Sequence, residues 1–158
     1  MQWDAVMRVL AALEAHGVDY VVIGGVAINF HGIGRATEDL DVFVEPTVDN
    51  IARLRSALHS LYTDAAIDEI TAEDLCGDYP AVRYVPPDDN PPMDILTRLG
   101  ERFRFADLER ERYDVEGQTV SVATPRTLYR MKVNTVRPLD HADAARLAEA
   151  FGLDKDAS

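Results

Sequence analysis

Asp39 and Asp41 lie two residues apart in Asp39-Leu40-Asp41-Val42-Phe43-Val44, where Leu40, Val42 and Val44 alternate with them as in a strand. Residues two apart on a strand share a face, so the pattern sets two carboxylates side by side. In apolar surroundings that is costly unless something positive sits between them. Upstream, Val21-Val22-Ile23-Gly24-Gly25-Val26-Ala27 reads as a buried strand breaking at two glycines into a short helix. Such a turn offers bare backbone N–H groups and a positive helix end to an anion. A metal clamp and a phosphate cradle in one short span point to metal-assisted phosphoryl chemistry on a nucleotide.

Asp94 adds a third acid, a lone carboxylate inside the apolar run Met93-Asp94-Ile95-Leu96. Hard cations such as Mg²⁺ take a few carboxylates plus substrate phosphates. Paired ions about 3.5–4 Å apart clamp the attacking and leaving oxygens of an in-line displacement. The bland reading of Asp94 is a strand-edge acid facing solvent, and Asp39 and Asp41 weaken it. Asp154-Lys155-Asp156 repeats the spacing without an apolar strand and carries no such reading.

Lys132 belongs to a helix opened by Thr124-Pro125, an N-cap followed by a first-turn proline. It falls on the arc of Leu128, Met131, Thr135 and Val136, opposite Arg126, Arg130 and Asn134. A lysine on the apolar side either snorkels or points into a site, where nucleotide phosphates are its natural target. Lys132→Met is therefore expected to spare the fold and to lower turnover by about 10²-fold. The direction of Arg137 is open, because Pro138 breaks the helix there. His31 and His141 stand in no metal-ligand spacing and read as surface or helix-end residues. Tyr20, Phe30, Phe43 and Tyr84 read as core, and Cys76 as a small packing residue.

These residues need a scaffold of alternating helices and strands. Trp3, Val6, Leu10 and Leu13 mark a first helix ending near Gly17, followed by a strand Asp19–Ile23 and a short helix Val26–His31. After the acidic strand, a helix spans roughly Val48–Leu61, and Asp64–Pro80 reads as a variable flap or loop with a short helix at Thr71. Strands Ala81–Val85 and Met93–Thr97 flank a proline-rich turn, and Arg112–Val115 and Thr119–Ala123 form a hairpin around Glu116-Gly117. A helix to about Val136 and a last one ending at Phe151 complete an α/β (α+β) fold. Residues 1–153 are expected to form one domain and 154–158 a flexible tail. The net charge of −12 disfavours non-specific nucleic-acid binding, although 9 Arg and Lys against 6 Asp and Glu make Arg98–Arg137 locally basic. The longest apolar run is too short to span a bilayer, so the expected location is the cytoplasm.

Gly24-Gly25, Arg35-x-Thr37-x-Asp39-x-Asp41 and the strand acid Asp94 together resemble the nucleotidyltransferase superfamily that includes DNA polymerase beta. Thr124-Pro125, Leu128, Lys132, Arg137-Pro138-x-Asp140 and Asp143 resemble its AbiEii-like branch, which includes toxins of toxin–antitoxin and abortive-infection systems. The resemblance implies a mixed β-sheet flanked by helices, with a C-terminal helical pair. It implies Mg²⁺, as a two-ion set that Mn²⁺ can replace, on Asp39, Asp41 and Asp94. It also implies a nucleoside triphosphate contacted by Gly24, Gly25, Arg35, Thr37, Lys132 and Arg137. The nucleoside monophosphate then passes to an acceptor hydroxyl of a tRNA, a protein or a small molecule, and pyrophosphate leaves. Implied partners are a cognate antitoxin or, as in small antibiotic-modifying members, a second copy. Leu139 departs from the branch, which often has Lys after Arg-Pro. A different class of function, a non-catalytic binding or antitoxin-type protein on the same fold, is the alternative.

Overall fold

The computed structural model describes residues 1–133 and 135–153. The expected tail 154–158 and the outward placement of Asn134 lie outside them. Helix α1 (Trp3–Ala15) buries Val6, Leu10 and Leu13, and Gly17 follows it at φ 66°. Strand β1 (Tyr20–Ile23) is buried throughout and runs directly into helix α2 (Gly24–Phe30), so the two glycines form the helix's first turn. Strand β2 (Leu40–Val44) is followed by helix α3 (Val48–His59), capped by the Thr47 side chain, which accepts from Asn50 N at 3.1 Å. A 3₁₀ turn (Ala65–Glu69) and helix α4 (Ala72–Leu75) lead to strands β3 (Ala81–Tyr84) and β4 (Met93–Leu96). The short strands β5 (Arg98–Leu99) and β6 (Phe103–Arg104) pair with each other, and then come β7 (Arg110–Val115) and β8 (Gln118–Ala123). Helices α5 (Pro125–Lys132) and α6 (Pro138–Phe151) close the chain.

Six strands form one mixed sheet in the order β3-β4-β2-β1-β8-β7, with β2–β4 and β1–β8 parallel and the other pairs antiparallel. Val21, Val22, Val42, Phe43, Ile95 and Val122 have no measurable exposure, because helices cover the sheet. Helix α1 packs on α3 and β8, α2 lies against β1 and β2, and α5 pairs with α6. Asp41 sits on β2 between the buried Leu40 and Val42 and is itself half-buried.

Some sequence expectations change. The 64–80 segment is no loose flap, since Ile67, Ile70 and Leu75 are buried and Tyr84 donates to Asp64 at 2.8 Å. Helix α5 stops at Lys132, short of Val136, and Pro138 starts α6 at its first turn, where a missing N–H costs nothing. Cys76 is exposed and not a core packing residue. The β5–β6 pair was not legible, being too short for a two-residue alternation to register.

Candidate active site

The strand registers build a single row across the sheet: Ile23 faces Asp41, Asp41 faces Asp94, and Asp94 faces Arg83. Neighbours across a sheet project from the same face, so three charged side chains on β2, β4 and β3 meet by pairing alone. Asp39, one residue before β2, joins them. The Arg83 guanidinium lies between the acids, donating from Nη1 to both Asp94 oxygens at 3.2 Å and to Asp39 Oδ2 at 3.2 Å, and from Nη2 to Asp39 Oδ1 at 3.3 Å. Asp41 receives no such partner. Its pKa is pushed up to about 7, first by burial and then by the Asp94 and Asp39 carboxylates, against the weaker pull of Lys132.

The glycine turn closes over this row. A Cβ on Gly24 would stand 2.2 Å from Asp41 Oδ2, and Gly24 has φ 69°. A Cβ on Gly25 would stand 2.8 Å from Thr37 Cβ. Only glycine admits that approach. Asn29 fastens the loop above the turn, donating to Gly25 O at 2.9 Å and to Arg35 O at 2.6 Å, and accepting from Arg35 N at 3.1 Å.

A second ionic cluster faces the first. Lys132 Nζ lies 3.2 Å from Asp140 Oδ1 and 3.0 Å from Asp143 Oδ2, and Arg35 Nε is 3.0 Å from Asp143 Oδ1. Burial alone would raise the Asp140 pKa, but the Thr135 hydroxyl and Lys132 outweigh it and hold the group below its ordinary value. Arg137, largely exposed, reaches Asp140 at 3.9 Å. Lys132 thus points into the cleft and does not snorkel outward. Because it neutralises two buried acids, Lys132→Met is now expected to weaken the fold, contrary to the reading from helix phase.

Two cavities meet here. A polar one of about 880 Å³ is lined by Gly24, Gly25, Arg35, Thr37 and Asp39 among others. An apolar one of about 800 Å³ is lined by Ile23, Val82, Leu96, Leu128 and Met131. Asp41, Asp94, Lys132, Arg137 and Asp140 border both. All nine candidates read from the sequence (Gly24, Gly25, Arg35, Thr37, Asp39, Asp41, Asp94, Lys132 and Arg137) line one cavity or both. Sequence reasoning missed Arg83 and Asn29. Arg83 had a signal, because it and Asp94 lie equally far from Asp88-Asp89, the centre of the hairpin, where both residues have positive φ. Asn29 had none.

The donor set is three carboxylates, which suits a hard divalent cation, and a guanidinium is already drawn between two of them. Among the described residues, no three acidic, His or Cys side chains stand as a ready-made ligand group.

The sheet and its helices are those of a nucleotidyltransferase. The antibiotic-resistance factor ANT(2″)-Ia, in its solution structure, superposes with TM-score 0.59 at 15% identity, over 99% of this chain and 86% of that one. Its crystal structure in complex with adenylyl-2″-tobramycin gives TM-score 0.57 at 14% identity, over 96% and 90%. An antigenic nucleotidyltransferase-like protein from Paracoccidioides brasiliensis gives 0.56 at 17%, over 92% and 74%. Among curated proteins no sequence matches. The chain belongs to the nucleotidyl transferase AbiEii toxin family of type IV toxin–antitoxin systems, whose family model matches residues 8–154. It is a nucleotidyltransferase, and no described helix is long and apolar enough to cross a membrane.

Proposed function

We propose that residues 1–153 form one catalytic unit that transfers a nucleoside monophosphate from a nucleoside triphosphate to an acceptor hydroxyl, with Mg²⁺ or Mn²⁺ held by Asp39, Asp41 and Asp94. The observation that carries this reading is the meeting of a polar and an apolar cavity at Asp41, Asp94 and Lys132. A triphosphate suits the polar side, where the Gly24-Gly25 turn offers backbone amides and Arg35, Thr37, Lys132 and Arg137 offer donors. An acceptor enters from the apolar side. Its hydroxyl oxygen forms a bond to the α-phosphorus, the bond from that phosphorus to the bridging oxygen breaks, and pyrophosphate leaves. Asp94, bordering both cavities, takes the hydroxyl proton. Lys132 and Arg35 offset charge as pyrophosphate departs. The divalent ion, when bound, neutralises phosphate charge and acidifies the hydroxyl.

The family supports a toxin role with a cognate antitoxin, and the proposed location is the cytoplasm. The acceptor is a tRNA, a protein or a small molecule, and a second copy could complete its binding. Incubation with each α-labelled triphosphate, Mg²⁺ and cell extract tests the reading, followed by separation into RNA, protein and small molecules. Label is expected in one fraction with the wild type and in none with Asp41→Asn. Absence of label in every wild-type fraction, from a protein shown to be folded, would overturn it.

A further inference from the structure

The Arg83 guanidinium sits where charge compensation by a metal ion is needed. It reaches Asp39 and Asp94 with contacts of 3.2–3.3 Å and makes none to Asp41 beside them. This is not a rigid structural ion pair. Its side chain is 50% exposed, those of Asp39 and Asp94 are each 34% exposed, and β3 is the edge strand of the sheet. Tyr84, the next residue, alternates to the other face and is buried. The core therefore anchors the strand and leaves Arg83 free to swing. An arginine fork matches carboxylates in a fixed plane, and while it lies between both acids its positive charge opposes another cation there.

We propose that Arg83 is an internal countercation that competes with the divalent ion for Asp39 and Asp94, so that it sets the enzyme's metal affinity. The inference rests on the reading that these acids hold the metal. In the metal-free protein Arg83 neutralises the acids that would otherwise repel one another. On metal binding it lets go and moves to the rim of the apolar cavity, which it already lines. Its role is one of positioning, not of contact with the reacting atoms.

Direct Mn²⁺ titration of the whole protein, by calorimetry or by the loss of the free-ion electron paramagnetic resonance signal, tests this without any activity measurement. Arg83→Gln is expected to bind Mn²⁺ about 10-fold more tightly than wild type, since a like charge has been removed from the site. Arg83→Lys, which keeps the charge and loses the fork, is expected to fall between them. Without divalent ion Arg83→Gln is expected to melt below wild type, and to gain more on adding Mn²⁺. Equal or weaker Mn²⁺ binding by Arg83→Gln would overturn the proposal. Asp41→Asn and Asp94→Asn separate the two levels of failure. If both lose Mn²⁺ while Arg83→Gln gains nothing, the competition is wrong and the metal site stands. If both bind as wild type does, the metal reading fails and the proposal with it.

Discussion

The cleft holds two acid clusters with opposite electrostatics. On the strands, Asp39 and Asp94 share one half-exposed arginine that does not reach Asp41, and Asp41 is raised to about 7, by burial before all else. On α6, Asp140 and Asp143 are more deeply buried, yet they are met by Lys132, Arg35, Arg137 and the Thr135 hydroxyl, and Asp140 is held low. Burial alone cannot tell a structural acid from one poised for a ligand. What distinguishes them is whether the protein itself supplies the cations. The α6 pair is satisfied and fixes Lys132 and Arg35 toward the polar cavity, whereas the strand set is left short of charge.

The largest effect should come from Asp41→Asn. Turnover is expected to fall by about 10³-fold or more, because a site that stabilises developing charge loses a central group. Its stability should move the other way. Since Asp41 titrates near 7 when folded and near 3.8 when unfolded, the folded state binds the extra proton between those values. Stability contributed by this group therefore falls as pH rises from about 4 to about 7. Without divalent ion, Asp41→Asn should melt above wild type at pH 8 and alongside it at pH 4. Mg²⁺ should raise the wild-type melting temperature more than that of the variant. Equal responses to Mg²⁺ would erase the distinction between the clusters.

Asp143→Asn should do the reverse on stability. It strips a partner from both Arg35 and Lys132, and a loss of about 2 kcal/mol in denaturant unfolding is expected. Because Asp140 is held low, acidification below its ordinary range should also weaken the fold, with the opposite pH sign to Asp41. A variant as stable as wild type would mean that the α6 cluster holds nothing together.

Gly24→Ala sharpens the contrast without altering any charge. Its Cβ would collide with the Asp41 carboxylate at a positive φ, costing about 1–2 kcal/mol of strain and displacing Asp41 alone. Activity and Mn²⁺ affinity should drop while acid sensitivity stays that of wild type. The smallest effect is expected from Asp68→Asn, whose exposed carboxylate meets His59 at 2.8 Å. A melting shift beyond about 1 °C there would show that exposed acids matter too.

The fold and the acidic strand were legible because they rest on local rules. Alternation across Leu40–Val44, the stripe of α1, the Thr124-Pro125 cap and the Gly24-Gly25 break each depend on neighbours a few residues apart. The same rules placed Asp39, Asp41 and Asp94 together as candidates and put Lys132 on the inward arc. What they could not decide was where the compensating charges come from. Arg83 meets Asp94 only through the β3–β4 register, and Asp143 meets Arg35 across 108 residues of chain. Lys132 consequently looked like a free charge in the sequence and is a shared one in the fold. Periodicity reports which way a side chain points, whereas its electrostatic partner is set by long-range packing. That is why the acids could be read from the chain, while the difference between a satisfied cluster and an unsatisfied one belongs to the tertiary structure.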